Sequence, residues 1–200
     1  GFLDPEPSLH IIHGVAKSGK TTFAWLLGLA WAQGLEPWSG SRALPGARVL
    51  FLSAEQGLRK CLRVLRRIGR TAGLGDVDSW SDRVSIVGRH AEMSDADRKI
   101  LTFDEEGLAL LGGVLDRAIK EGNPFGLVVA DSLSRLKPAG ASTMDNDEMI
   151  GLLSPLAALA TEKGAYVALI HHAGHSAERQ GNAIDGVRGA SAIRDVPQGL

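Results

Sequence analysis

The sequence predicts an α/β fold in which a mostly parallel sheet is covered by helices on both faces. Apolar runs with strand character alternate with longer segments of helical character along the chain, and this alternation is typical of parallel sheets. Two of the runs, 48–53 and 126–130, are almost continuously apolar, as expected for strands that are buried on both faces. A glycine-rich loop between the first strand and the first helix supports the same architecture.

Each element is predicted from its local pattern and from the turn residues that bound it. We expect strands at 9–13, 48–53, 83–87, 126–130 and 165–170. Helices are expected at 21–33, 56–69, 104–121 and 146–163, and Pro155 predicts a kink or a late start in the last of them. Loops are expected at 34–47 and 138–143, and the segment 90–102 is expected to be polar and irregular.

Length and composition indicate one globular domain that covers residues 1–200. The chain is 44% hydrophobic and 22% charged, with a net charge of −1, which disfavours chain-wide polyanion binding but leaves a local basic patch possible. The single cysteine, Cys61, cannot form an internal disulfide and favours the cytoplasm. The longest apolar stretch, 23–32, is about ten residues, well short of the ~20 that span a bilayer, so we expect no membrane partner.

The segment 14–21 reads GVAKSGKT and is a complete G-x-x-x-x-G-K-[ST] phosphate-binding loop. Backbone N–H groups in such a loop point at the phosphates of a nucleoside triphosphate, and the start of the following helix adds partial positive charge. Lys20 is expected to reach the β- and γ-phosphates, and the Thr21 hydroxyl to hold Mg²⁺. The predicted nucleotide-binding residues are Gly14, Val15, Ala16, Lys17, Ser18, Gly19, Lys20, Thr21 and Thr22.

Acidic residues follow two of the predicted strands, at the edge where parallel sheets bind ligands. Asp131 follows the strand 126–130 and is expected to lie opposite Thr21 and hold Mg²⁺; a turn or capping role is the alternative. Glu55 follows the strand 48–53 and is expected to deprotonate an attacking water. The alternative for Glu55 is an acid that favours the start of the next helix.

Two histidines, His171 and His172, follow the last predicted strand. We expect one of the pair to sense the γ-phosphate by hydrogen bonding, although polar residues at a strand exit are the simpler alternative. A zinc cluster with His175 is disfavoured because adjacent strand positions point to opposite sides of the sheet.

Arginines outside the phosphate loop allow two further interpretations. Arg188, in the segment GVRGAS at 186–191, is placed to contact a phosphate in its own site or in a neighbouring subunit, or to be a surface charge. The basic stretch 59–67 is expected to be a solvated helix face rather than a nucleic-acid platform, because no aromatic residues are interleaved.

Taken together, these motifs resemble the RecA-type P-loop ATPase superfamily, nearest the branch of the plasmid replication helicase RepA and related AAA-like ATPases. The segments that carry the resemblance are GVAKSGKT (14–21), RVLFLSAEQ (48–56), GLVVADSLSRL (126–136), YVALIHHAGH (166–175) and VRGASAIRD (187–195). The resemblance implies a RecA-like domain that binds ATP and Mg²⁺. It matches Lys20 to phosphate binding, Glu55 to water activation, and Thr21 and Asp131 to Mg²⁺ binding. It also matches His172 to nucleotide sensing and Arg188 to a conformational or intersubunit motif.

The same resemblance implies the ATP-hydrolysing motor of a replicative DNA helicase, with single-stranded DNA as a partner and a hexameric ring as its assembly. An ATP-dependent regulatory switch without helicase activity remains an alternative. A small-molecule kinase is disfavoured because the chain has no arginine-rich lid and because Glu55 suits water activation. The sheet of the family continues beyond the segment at 187–191, so we expect a domain truncated at its C-terminal end.

Overall fold

A computed structural model describes residues 7–15, 17–35, 48–141 and 146–172. These residues form a five-stranded sheet in the order β1-β5-β4-β2-β3, and every neighbouring pair is parallel. The strands are β1 (Leu9–Gly14), β2 (Arg48–Gly57), β3 (Val84–Arg89), β4 (Phe125–Asp131) and β5 (Tyr166–His172). The predicted parallel α/β fold is confirmed, and β1, which leads into the phosphate loop, pairs with β5 alone among the described strands.

Helices cover both faces of this sheet. They are α1 (Lys20–Ala32), α2 (Leu58–Thr71), α3 (Asp95–Ile100), α4 (Glu105–Lys120), α5 (Leu133–Leu136) and α6 (Asn146–Lys163). The first two pack with one face of the strands, and α4, α5 and α6 pack with the other. The sheet therefore lies between two separate hydrophobic clusters.

Alternation along β4 explains why a continuous apolar run is required there. Leu127 and Val129 point into the cluster beneath α1 and α2, whereas Val128 and Ala130 point into the cluster beneath α4 and α6. All four are buried. Because successive side chains of a strand point to opposite faces, burial on both sides requires apolar residues at every position.

The helix that follows the phosphate loop lies unusually close to the sheet. A Cβ atom at Gly28 of α1 would lie 2.4 Å from the ring of Phe51 on β2, so this position has no room for a side chain. Trp25, one turn earlier, packs edge-on against the same ring with 5.7 Å between ring centroids. These contacts fix α1, and with it the phosphate loop, against the centre of the sheet.

The structure corrects three details of the predicted elements. The segment expected to be irregular contains α3, which begins after Ser94 because the Ser94 hydroxyl accepts a hydrogen bond from the Asp97 N–H. Strand β2 continues to Gly57, so α2 begins two residues later than predicted.

The predicted helix 146–163 is observed as α6 (Asn146–Lys163), which contains Pro155, so of the two effects predicted for this proline the late start does not occur. Both Pro155 and Gly151, four residues earlier, are exposed, so water can bind the carbonyl that the proline leaves without a helical partner. Among the described residues, no helix combines the length and the apolarity that crossing a bilayer requires.

Candidate functional site

The phosphate loop is held in its turn by residues in the left-handed backbone region. Gly19, the residue before α1, has φ +87°, and Lys17 has φ +61°. Glycine adopts such angles without the steric cost that a side chain imposes. At Gly14, a Cβ atom would lie 3.2 Å from the Ser18 hydroxyl oxygen. Glycines at 14 and 19 therefore shape a narrow loop.

The side chain of Lys20 lies inside this loop rather than in solvent. Only 7% of Lys20 is exposed, and its ammonium donates hydrogen bonds to the Val15 carbonyl oxygen at 2.5 Å and to the Ser18 hydroxyl at 3.3 Å. Burial lowers the pKa of Lys20, while the nearby carboxylates of Asp131 and Glu55 oppose that effect. A buried cation within a ring of loop atoms suits the binding of a phosphate.

Strand register brings the predicted residues to one edge of the sheet. Gly14 is aligned with His172 across β1 and β5, and Ser53 is aligned with Asp131 across β2 and β4. Glu55 lies two residues beyond Ser53, within a stretch where the pairing of β2 with β3 is irregular. The loop, both acids and His172 therefore share the carboxyl edge, as the sequence predicts.

Asp131 is fully buried at the end of β4. Neither carboxylate oxygen has a hydrogen-bond partner at normal distance among the described residues. Burial, reinforced by the negative charge of Glu55, raises the pKa of Asp131 to about 6, and the nearby Thr21 hydroxyl, His172 and Lys20 offset this only in part. Two unpartnered carboxylate oxygens in a buried position form a site that favours a cation.

Glu55 has different surroundings although it faces the same space. Its side chain is 31% exposed, and its Oε1 atom accepts a hydrogen bond of 2.5 Å from the Ser132 hydroxyl. The same oxygen lies 3.3 Å from Nε2 of His172. Ser132 is itself fully buried and also lies 3.0 Å from the Ser134 hydroxyl. The Glu55 carboxylate is thus held in place yet open to water.

Ser132 is not among the site residues that the sequence predicts. Its position directly after the strand-end acid Asp131 was an available signal, because both residues lie at the ligand-binding edge. The contact with Glu55, however, spans 77 residues and depends on the order of the strands. The sequence motif alone could not show it.

A divalent cation fits this arrangement. Oxygen atoms of Glu55 and Asp131 and a ring nitrogen of His172 lie within 4.8 Å of one another. Mg²⁺ prefers carboxylate and hydroxyl oxygens and keeps several waters, and the buried Asp131 oxygens together with the Thr21 hydroxyl match that preference. Thr21 and Asp131 therefore offer the oxygen donors that the predicted Mg²⁺ site requires, and their role as its ligands stays a prediction.

The two histidines of β5 have separate environments. His171 is buried, and its ring lies 5.5 Å from the ring of His13 on β1. Burial, with the positive charges possible on His13, His172 and Lys20, lowers the pKa of His171 to about 4. His171 is therefore neutral near pH 7, whereas His172 is half-buried beside Glu55. His172 is the member of the pair that reaches the site.

The remaining predicted site residues are exposed or lie outside the described residues. Lys17, Ser18 and Thr22 are exposed around the loop. Ala16, His175 and Arg188 lie outside the described residues, so their roles stay predictions.

Comparison with known proteins gives the family. A family model described as "AAA domain" matches residues 3–178. The chain belongs to this AAA domain family. Its match covers the phosphate loop, Glu55, Asp131 and His172, and the predicted resemblance to RecA-type P-loop ATPases is confirmed.

The fold of this AAA domain is also found in solved structures. The ATPase domain of G40P superposes with a TM-score of 0.62 at 15% sequence identity, covering 96% of this chain and 67% of that one. Altogether 259 chains match significantly, so the RecA-like fold is widespread and does not by itself identify a function. No curated protein matches the sequence significantly.

Proposed function

We propose that this AAA domain binds and hydrolyses ATP with Mg²⁺ as the motor of a RepA-like replicative DNA helicase or a related DNA-dependent ATPase. The observation that supports it most is the convergence of a buried Lys20 in the phosphate loop with Asp131 and Glu55 at one sheet edge. A phosphate cradle, a metal-binding acid and an acid open to water are the parts that nucleotide hydrolysis requires.

Each residue has a distinct role in this proposal. The loop N–H groups and Lys20 bind the phosphates, and Thr21 with Asp131 would hold Mg²⁺, which neutralises charge on the phosphate oxygens. Glu55 accepts a proton from the water that attacks the γ-phosphorus, and the bond from that phosphorus to the bridging oxygen of ADP breaks. His172, 3.3 Å from Glu55, is positioned to sense whether a γ-phosphate is present.

The partners we propose are single-stranded DNA and further copies of the chain in a ring. In motors of this class, a charge from a neighbouring subunit can complete the site, and Arg188 is our candidate for that charge. A cytoplasmic location agrees with the single, buried Cys61, which forms no disulfide.

Replacement of Lys20 tests the core of the proposal. Lys20→Ala removes the buried ammonium and should abolish ATP binding and hydrolysis, measured by calorimetry and phosphate release, while circular dichroism stays that of the wild type. Lys137→Ala, a lysine outside the phosphate loop, is the control. Wild-type nucleotide affinity and turnover in Lys20→Ala would reject the site.

DNA dependence is tested separately. The proposed motor should hydrolyse ATP faster when single-stranded oligonucleotide is added, and should unwind a forked duplex. ATP hydrolysis that single-stranded oligonucleotide does not accelerate, together with no unwinding of the forked duplex, would favour the regulatory switch instead.

A further inference from the structure

The exposed side of α2 carries an unusually dense group of cations. Six of the 22 lysines and arginines of the chain lie between residues 59 and 70, and α2 contains no acidic residue. All six are exposed. We name the five arginines of this group the arginine face: Arg59, Arg63, Arg66, Arg67 and Arg70. The whole chain has a net charge of −1, so this face differs sharply from the average surface.

Most of the arginine face forms no ion pair with the residues that the structure describes. Arg70 forms an ion pair with Asp76 at 2.7 Å. Among the ion pairs of the described residues, none involves Arg59, Arg63, Arg66 or Arg67. By contrast, the partly buried lysines Lys99 and Lys163 each contact two carboxylates. Within residues 7–15, 17–35, 48–141 and 146–172, Asp76 is therefore the one carboxylate whose pKa this face lowers, through Arg70 and Arg66.

The charges on α2 also oppose the stability of the helix itself. Arg59 and Arg63, Arg63 and Arg67, and Arg66 and Arg70 are like-charged pairs four residues apart, which repel one another on a helix surface. Arg59 and Lys60 lie in the first turn, where the helix dipole disfavours positive charge. Apart from Arg70, which lies in the last turn and pairs with Asp76, these positive charges oppose folding, whereas a bound polyanion would relieve the repulsion.

Geometry and composition together indicate what kind of anion fits. The arginines recur every three to four residues, so they form a row about 16 Å long on one side of the helix. They line an open depression of about 630 Å³. Arginine presents a planar fork of donors that pairs with phosphate oxygens. A row of such forks suits a series of phosphates better than one isolated anion.

An apolar protein partner fits this surface less well. Protein interfaces usually centre on buried apolar or aromatic anchors. The large hydrophobic side chains that are exposed among the described residues are Phe23, Leu35, Ile119 and Ile150, and none of them belongs to α2. The arginine face thus carries charge but no large exposed hydrophobic side chain that could anchor a protein partner.

We propose that the arginine face binds the phosphate backbone of a nucleic-acid strand. This inference rests on the proposed DNA-dependent function and assigns the contact surface for it. Since no aromatic residue lies in α2 to stack on bases, the contact is to phosphates and is independent of sequence. It differs from the expectation that this stretch is only a solvated face, because four of the five arginines along one side of the helix form no ion pair with any described residue.

The position of α2 gives such a contact a direct connection to the site. Glu55 lies near the end of β2, and α2 begins only three residues later, at Leu58. Arg67 also borders a depression between α1 and α2 together with Thr22, the residue after Thr21. A nucleic-acid strand bound along α2 would therefore contact both α2, which follows Glu55, and α1, which follows the phosphate loop.

The test compares two double variants that remove the same charge from opposite faces of the sheet. Arg63→Gln/Arg67→Gln changes the arginine face, and Arg117→Gln/Lys120→Gln changes exposed cations at the end of α4. Binding of a fluorescein-labelled 30-nucleotide oligo-dT is measured by anisotropy between 50 and 200 mM NaCl. Basal ATP hydrolysis and sedimentation velocity are measured on the same samples.

We expect the arginine-face variant to bind the oligonucleotide at least ten times more weakly at 50 mM NaCl, and the α4 variant to bind like the wild type. The slope of log K against log[NaCl] should become shallower by about 1.4, because each lost single-strand phosphate contact contributes about 0.7. Basal ATP hydrolysis should be unchanged in both variants.

Three outcomes would overturn the proposal. Equal affinity in both variants would remove the arginine face from nucleic-acid binding. Unchanged oligonucleotide affinity with altered sedimentation would make it a contact between copies of the chain. A wild type that hydrolyses ATP but binds no oligonucleotide would reject the nucleic-acid partner while leaving the ATPase intact.

Discussion

Asp131 and Glu55 lie at the ends of neighbouring strands, and their surroundings are opposite. Asp131 on β4 is fully buried, and its oxygens have no hydrogen-bond partner among the described residues. Glu55 on β2 is 31% exposed, accepts a hydrogen bond from Ser132 and lies 3.3 Å from His172. Two carboxylates that look alike in the sequence thus differ in their access to solvent: Asp131 is shielded from water, whereas Glu55 is open to it.

The comparison shows that burial assigns different chemistry to the same functional group. A buried carboxylate without donors is costly unless a cation joins it, so the end of β4 suits metal binding. A carboxylate held by a donor and open to water is within reach of an attacking water, so the end of β2 suits proton transfer. The variants below test this division.

Glu55→Gln should have the largest effect. Gln keeps the size of the side chain but cannot accept a proton, so kcat for ATP hydrolysis should fall by about 10² or more. The affinity for Mg-ATP should stay within twofold of the wild type. Single-turnover phosphate release and calorimetry measure the two quantities.

Glu121→Gln, an exposed acid just beyond α4, is the matched control and should behave as wild type. If Glu55→Gln hydrolyses ATP at the normal rate, Glu55 is only an acid near the start of α2.

Asp131→Asn should change the pH dependence of stability. The folded-state pKa of Asp131 is about 6, above the ordinary 3.8, so the folded protein holds this proton more tightly than the unfolded chain does. The contribution of Asp131 to the free energy of unfolding is therefore fully present below about pH 4 and is lost as pH rises through about 6, by about 3 kcal/mol for a shift of this size. The Asn variant should lack that loss.

Urea unfolding between pH 4 and 7 in the presence of chelator measures the difference between wild type and variant. Asp82→Asn, at an exposed position, should follow the wild-type profile. Addition of Mg²⁺ should reduce the loss above pH 6 in the wild type but not in Asp131→Asn. A wild type and an Asp131→Asn variant with parallel pH profiles would show that Asp131 is not a strained, unpartnered acid.

Ser132→Ala should have a smaller effect that reaches the site only through Glu55. Loss of the 2.5 Å hydrogen bond to Glu55 should lower kcat about tenfold, because a hydrogen bond to a charged group contributes about 1.5 kcal/mol. KM for ATP should not change, since Ser132 contacts no part of the phosphate loop among the interactions of the described residues.

Ser132→Thr keeps the hydroxyl and should restore most of kcat, which distinguishes a positioning role from a packing defect. A rise in KM with kcat intact would place Ser132 in nucleotide binding instead.

The sequence predicts the parts of the site whose chemistry is local. The phosphate loop is a continuous motif, and the run around 126–130 predicts a strand buried on both faces because every position is apolar. Asp131 and Glu55 follow from the rule that ligands bind at the carboxyl ends of parallel strands. The structure places all of these at one edge.

Features that depend on strand order or on short-range capping could not be predicted. The contact of Ser132 with Glu55 and the pairing of His13 with His171 join distant segments and require the observed register. The short α3 was missed because its start depends on the Ser94 cap rather than on an apolar period. The basic composition of α2 can be read from the sequence, but only the folded structure shows that Arg59, Arg63, Arg66 and Arg67 form no ion pair with the described residues.

The separate roles of Asp131 and Glu55 are tested most directly by titrating Mg²⁺ while ATP binding and single-turnover hydrolysis are measured. The titration is run in parallel on the wild type, Glu55→Gln and Asp131→Asn. The account predicts that Glu55→Gln keeps the Mg²⁺ dependence of ATP affinity and loses turnover, whereas Asp131→Asn loses the Mg²⁺ dependence of affinity. If both variants lose the same parameter by the same factor, or if Asp131→Asn keeps the wild-type Mg²⁺ titration, the two carboxylates do not have separate roles.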